Sequence, residues 1–246
     1  MKGIDYFVFI GTYPFGQPGG YKINDLFDEM AAEGIVLSYA SPMEALFSRN
    51  IGVVNETFLK SLSGKENRIR AVPILDLSTG TFERDIREYQ RHFGIEALRI
   101  APNYHGYCLD DALVEKCLRL AAELSLKVFI AKQAEDVRFQ SPCLSVGALD
   151  LQEILRVTGC TRKTTIVLNG FYPSEIAALK RIPQNVCFDV SAFDHFFGTM
   201  ENAISKHGAK HFVYGSGRPF LYHGAVRHNL ENSSLSSMNV RKIFEG

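Results

Sequence analysis

The chain has no tryptophan, and its five cysteines, Cys108, Cys117, Cys143, Cys160 and Cys187, are scattered without a Cys-x-x-Cys pair. An odd, widely spaced set excludes a zinc ribbon, a dithiol redox motif and a disulfide-stapled secreted scaffold, and it leads us to expect a reducing cytoplasm. Net charge is missing too, because 27 basic and 27 acidic side chains cancel. Without a basic stripe interleaved with aromatics, neither nucleic acid nor a membrane surface is an expected partner. No apolar run is long enough to cross a bilayer, and residues 1 to 13 carry Asp5 inside their apolar run and show no small-residue cleavage site, so no signal peptide is expected there. The loop after that run lacks Gly-x-Gly-x-x-Gly, which argues against an open dinucleotide-binding sheet. It comes near a P-loop but has Gln17 in place of the lysine and Pro18 in place of the magnesium-binding Ser or Thr. No His-x-His pair occurs either, and His92, His195, His207, His211, His223 and His228 read as surface or packing residues.

What is present is a rhythm. Asp5 to Gly11 reads as a strand covered on both faces, with Asp5, Phe7 and Phe9 on one side by simple alternation and Tyr6, Val8 and Ile10 on the other. Seven more short apolar strands follow at Ile35 to Tyr39, Ile69 to Leu75, Ala97 to Ile100, Val128 to Ala131, Thr165 to Leu168, Val186 to Val190 and His211 to Tyr214. Helical segments separate them, among them Asp25 to Glu33 behind a capping Asn24, Phe82 to Phe93, and Asp110 to Leu124 with Leu113, Cys117, Leu120, Ala121 and Leu124 on one stripe. Helices around Leu221 to Glu231 and Ser237 to Phe244 complete the chain. Eight strands alternating with helices over 246 residues, with no break in composition, predict an α/β protein, a single-domain (β/α)8 TIM barrel spanning 1–246.

In such a barrel, chemistry gathers at the C-terminal ends of the strands. Those ends offer Tyr13, then Asn103 and His105, Lys132, Asn169, Asp189, and finally Ser216 and Arg218. His105 could act as an acid or base or could simply lie in its loop. Lys132 and Arg218 could receive a carboxylate or stand as solvated rim charges. Asp189, a carboxylate in a strand, needs a cation, a hydroxyl or backbone donors, and a pair with Lys132 or Arg218 would depress its pKa.

Four segments, read in order, resemble the amidohydrolase-2 branch of the amidohydrolase superfamily: Ile4-Asp5 before an x-Val-x pattern, Ala101 to Tyr107, Val186 to Ser191, and Tyr214 to Phe220. The resemblance covers nearly the whole chain and implies a barrel built for metal-dependent hydrolysis or decarboxylation of small carboxylated or aromatic compounds. It also implies a divalent metal held by His-x-His after strand one, histidines after strands five and six, and an aspartate after strand eight. Residue by residue, those places here hold Phe7 and Phe9, Ala131, Asn169 and Gly217. Benzyl rings and a methyl group cannot coordinate a cation, so no metal and no other cofactor is expected. The family pattern usually runs further beyond the last helix, which predicts a slightly abbreviated C-terminal end.

Two readings follow. One is a pseudoenzyme that binds a small molecule at the mouth, a carboxylate being one candidate, with Tyr13, Asn103, Lys132, Asn169, Ser216 and Arg218 as the candidate contacts, or that supports a partner subunit or forms a homodimer. The other is a metal-independent hydrolase or lyase acting through His105, Lys132, Asp189 and Arg218.

Overall fold

In a computed structural model that describes residues 2–16, 20–110, 112–135, 140–193 and 198–246, each apolar run becomes a parallel strand and each amphipathic stretch a helix outside it. The order is β1 (Gly3–Ile10), α1 (Ile23–Glu33), β2 (Ile35–Pro42), α2 (Ile51–Ser61), β3 (Ile69–Ala71), β4 (Ile74–Leu75), α3 (Phe82–Phe93), β5 (Ala97–Ile100), α4 (Pro102–His105), α5 (Ala112–Glu123), β6 (Lys127–Ala131), α6 (Leu151–Thr158), β7 (Ile166–Asn169), α7 (Pro173–Ala178), β8 (Val186–Asp189), α8 (Thr199–His207), β9 (Phe212–Val213), α9 (His223–Glu231) and α10 (Ser237–Glu245). Gln17, Pro18 and His195 lie outside the described residues, as does the side chain of His223.

The strands pair in sequence order, β1 to β3 in one run and β4 to β9 in another. Two seams join the runs. At the first, β3 and β4 are halves of one strand, interrupted at Pro73, which has no N–H to give a ladder. The strand nevertheless bridges both neighbours, since Val72 donates to Ala40 (2.8 Å) and the Pro73 carbonyl accepts from Arg99 (2.9 Å). Buried Asn55 on α2 repairs the interruption by donating to the Ile74 carbonyl (2.7 Å) and accepting from the Ile74 N–H (3.1 Å). At the second seam, Tyr6 donates to Tyr214 (2.9 Å), Gly217 to Phe7 (2.9 Å) and Phe9 to Arg218 (2.8 Å). Together the seams make the eight-stranded barrel.

Alternation sorts the side chains of most strands. Val128, Ile130, Ile166, Leu168, Val186 and Phe188 join the core beneath the helices, while Phe129, Ala131 and Val167 face inwards. Burying each large apolar side chain is worth about 1.5–3 kcal/mol, so this double-sided cover is what holds the barrel together. The first strand breaks the rule. Its register against β2 advances three residues, Asp5 to Val8, while β2 advances two, Ser38 to Ala40, which marks a β-bulge. Ile4 and Tyr6 therefore share the lower interior with Tyr39 and Phe129, Phe7 and Phe9 share the upper interior with Ile74 and Ala131, and Asp5 lies on the opposite, outer side. The expectation that Asp5, Phe7 and Phe9 share a face is corrected by this bulge, which Asp5 itself caps by accepting the Phe7 N–H (3.1 Å).

Smaller corrections concern element ends. The helix expected behind Asn24 starts earlier, at Ile23 after Lys22, and His105, expected in a loop, closes the short helix α4 that Pro102 opens.

Candidate functional site at the barrel mouth

The predicted mouth residues divide into three groups that do not meet. Ser216 and Arg218 belong to the seam between β1 and β9. The Asp5 carboxylate accepts from the Ser216 N–H (2.9 Å) and from Arg218 Nη1 (3.1 Å). The Arg218 guanidinium, 1% exposed, then reaches α1, with the Glu29 carboxylate 2.5 Å from Nε and Glu33 accepting from Nη2. Burial pushes the Asp5 carboxyl above its usual range, opposed by the Arg218 charge. Burial also works against the Arg218 charge, yet Asp5 and Glu33 more than offset it and hold the group above its ordinary value. Arg218 is thus a bolt on the outer wall, not a receiver for a ligand carboxylate.

Asn103, His105 and Lys132 lie on the rim, and each is engaged with the protein. Asn103 Nδ2 donates to the carbonyls of Lys132 (3.1 Å) and Gly147 (2.9 Å), tying the loop before α6 to β6. His105 Nε2 bonds the Ala45 carbonyl (3.1 Å), which makes that nitrogen the protonated one, and burial lowers the imidazole pKa. Lys132 Nζ contacts both carboxylate oxygens of Glu175 at 2.8 Å and lies 4.4 Å from the Tyr172 ring centre, fixing the start of α7. Tyr13 packs edge-on against Phe15, Phe47 and Phe220, at centroid distances of 5.6, 5.7 and 5.1 Å. Burial, then the charge of Glu135, raises its phenol pKa.

The third group lies inside the barrel and is built round a residue that the sequence reading missed. Arg99, 1% exposed, points inwards from β5. Its carbon Cζ is 4.9 Å from the Phe9 ring centre, 5.3 Å from Phe7 and 5.4 Å from Phe129, so three rings present their faces to one cation. Nε donates to Ser41 Oγ (2.9 Å) and Nη1 to Asn169 Oδ1 (3.1 Å), while Nη2 has no acceptor among the described residues. Asn169 passes the chain on, its Nδ2 donating to Asp189 Oδ2 (2.9 Å). Asp189 Oδ1 accepts from the Gly170 N–H (3.0 Å) and the Ser191 hydroxyl (2.9 Å). Neither Lys132 nor Arg218 is its partner, and burial raises its pKa to about 6 instead of a cation depressing it. Arg99 is brought down to about 9 by burial, partly restored by the Asp189 charge, and remains cationic at neutral pH. The signal for Arg99 was available, since a lone charge stands inside Ala97-Leu98-Arg99-Ile100-Ala101 as Asp189 does in its own strand. Buried Glu135, which accepts from the Tyr104 hydroxyl (2.7 Å), also went unread because it follows the end of β6 by four residues.

These residues do not fit a divalent metal. Phe7, Phe9, Ala131 and Gly217 bring no lone pair, the Oδ1 of Asn169 is occupied by Arg99, and a second cation beside a buried guanidinium would be repelled. Among the described residues no three His, Cys, Asp or Glu side chains cluster as a metal group would. Gly217 has φ +70°, and a Cβ there would stand 2.5 Å from Leu221 Cδ1 and 2.9 Å from its Cβ. Gly217→Asp should therefore cost about 1–3 kcal/mol in a thermal melt and recruit no manganese, and a bound equivalent would refute this.

Solved structures share this fold. A 2,6-dihydroxybenzoate decarboxylase from Rhizobium superposes with a TM-score of 0.76 at 12% identity, over 99% of this chain and 96% of its own. The two chains share one barrel fold. A dihydroxybenzoic acid decarboxylase from Polaromonas sp. JS666, solved with manganese and 2-nitroresorcinol, gives 0.73 at 14% identity over 100% and 95% of the two chains. A protein from Staphylococcus aureus described as an amidohydrolase gives 0.71 at 11% over 100% and 97%. No family model and no curated protein matches the sequence. No helix among the described residues is long and apolar enough to cross a membrane.

Proposed function

We propose that this chain is a metal-free, non-catalytic relative of these barrels that binds a small carboxylate at its mouth, with Arg99 as the fixed charge that receives it. The observation behind this reading is the Nη2 group of Arg99, buried among three aromatic rings and lacking an acceptor among the described residues. A guanidinium kept out of water without a direct carboxylate partner is costly, and a ligand carboxylate would supply the missing acceptor as well as the charge. Phe7 and Phe9 beside it, with Tyr13 packed against the same apolar cluster nearer the rim, suit an aromatic body on that carboxylate. At the metal's depth the barrel thus offers rings and a guanidinium in place of an ionisable water, which is why turnover by hydrolysis or decarboxylation does not fit.

The alternative, a metal-independent hydrolase or lyase, needs His105, Lys132, Asp189 and Arg218 on one substrate. Two of these are engaged by protein carboxylates, one by a backbone carbonyl and one by an amide, a hydroxyl and backbone N–H groups. Binding without turnover is the reading that this arrangement supports.

The test uses protein purified without chelator. Metal analysis should find well below one equivalent of zinc or manganese. 2,6-Dihydroxybenzoate, the compound for which the Rhizobium decarboxylase is named, at about 100 times its Kd should stabilise the fold by about 2.7 kcal/mol. That corresponds to a rise in Tm of about 5–10 °C for a chain of this size. Arg99→Lys, which keeps the charge but not the fork, should bind it more weakly. Stoichiometric metal would sink the metal-free claim, and an unchanged Tm with both 2,6-dihydroxybenzoate and benzoate would sink the ligand.

A further inference from the structure

At the opposite end of the barrel from the mouth, where the chain enters β7, β8 and β9, lies a cavity of about 620 Å³. Arg162, Arg181, Lys210 and His211 line it, and no Asp or Glu is among its lining residues. None of the three long cationic side chains has an ion-pair or hydrogen-bond partner among the described residues, whereas Lys132 and Arg218 at the mouth end are each paired with carboxylates. The chain as a whole is neutral, so this is a local excess of positive charge.

The cavity is also held in shape. Asn185 Nδ2 donates to the carbonyls of Thr161 (3.0 Å) and Thr164 (2.9 Å), fixing the turn that carries Arg162. His211 is 6% exposed, and its Nδ1 bonds the Val186 carbonyl (2.9 Å). Because a carbonyl only accepts, Nδ1 carries the hydrogen and Nε2 is left as the ring's free polar atom. Leu155, Ile182 and Pro183 supply an apolar floor.

We propose that this cavity binds a small molecule bearing two or more phosphate groups, of nucleoside di- or triphosphate size. Two guanidinium forks and an ammonium match the several oxygens of a polyphosphate better than a single carboxylate, which one fork would satisfy. The volume lies within the range of small-molecule sites, and Ile182 and Pro183 give an apolar surface for a ring. A nucleic acid strand would instead need a basic track leading away from the cavity, which the even charge balance of the chain does not favour.

Calorimetric titration of the full chain with ATP and, separately, with pyrophosphate tests this. Both should bind saturably, ATP more tightly if its base uses the apolar floor. The double variant Arg162→Gln, Arg181→Gln, altering exposed side chains, should weaken ATP by about tenfold or more. Lys163→Gln, which removes an exposed charge from the same turn but outside the cavity lining, should leave it within about twofold. Absence of saturable binding by either probe overturns the proposal, as does an equal loss in Lys163→Gln. Tighter binding of an oligouridylate than of ATP would also overturn it, and would point to a polymer.

Discussion

Arg218→Met should lower the unfolding free energy by about 3–5 kcal/mol, the range expected when one partner of a buried ion pair is removed. For a chain of this length that is a fall in Tm of roughly 10 °C. The size follows from where the charge lies. Asp5 is fully buried, and Arg218 is the cation within ion-pair reach of it among the described residues. The same guanidinium ties the seam between β1 and β9 to Glu33 on α1, so its loss loosens three elements at once. Asp5→Asn in the Arg218→Met background should recover part of the deficit, since the stranded carboxylate goes with its partner. The pH dependence has a defined sign. Asp5 already has a raised pKa in the fold, so its contribution is full at low pH and is lost as pH rises. Without Arg218 the pKa rises further, and the deficit should be largest in neutral and alkaline solution and shrink on acidification. A loss under about 1 kcal/mol would mean that water or a neighbouring donor reaches Asp5, and the bolt would then have little energetic meaning.

The same residue shows what a sequence can and cannot reveal. Strand alternation located all eight barrel strands, and Phe82–Phe93 and Ala97–Ile100 emerge with the expected bounds, because both patterns depend on local apolar spacing. Position at a strand end predicts height along the barrel, and Arg218 does lie at the mouth end of β9. It does not predict side. Gly217, at φ +70°, turns the chain so that the next side chain leaves through the wall towards α1. The phase of β1 was hidden for a similar reason, since its bulge rests on Asp5 reaching the Phe7 N–H and on bonds to residues more than 200 positions away. That Phe7, Phe9 and Gly217 bring no metal-binding side chain was legible from the sequence. What lies beside them was not, because Arg99 meets those rings only through the closure of the barrel.

Arg99→Met should be comparably costly, about 3–5 kcal/mol at pH 8, and its pH profile distinguishes an ionic relay from mere packing. Arginine only donates and an ionised aspartate only accepts, so Asn169 between them can serve both in one orientation alone, with Oδ1 towards Arg99 and Nδ2 towards Asp189. Methionine fills much of the volume but leaves Ser41 Oγ and Asn169 Oδ1 without their donor and Asp189 without its cation. Asp189 has its pKa raised from 3.8 to about 6 by burial, so its contribution to stability is full below about 3.8 and is lost as pH climbs through 6. Removing Arg99 raises that pKa again and moves the loss to higher pH. The deficit relative to the parent protein should therefore be greatest near pH 8 and shrink towards pH 5, where both proteins carry a protonated Asp189. Arg99 itself, lowered by burial to about 9, builds up its penalty above pH 9, as pH falls towards that value, and adds no slope between 5 and 8. A deficit that is flat across that window would reduce Arg99 to a space-filling residue and would take away the electrostatic support for the proposed carboxylate site.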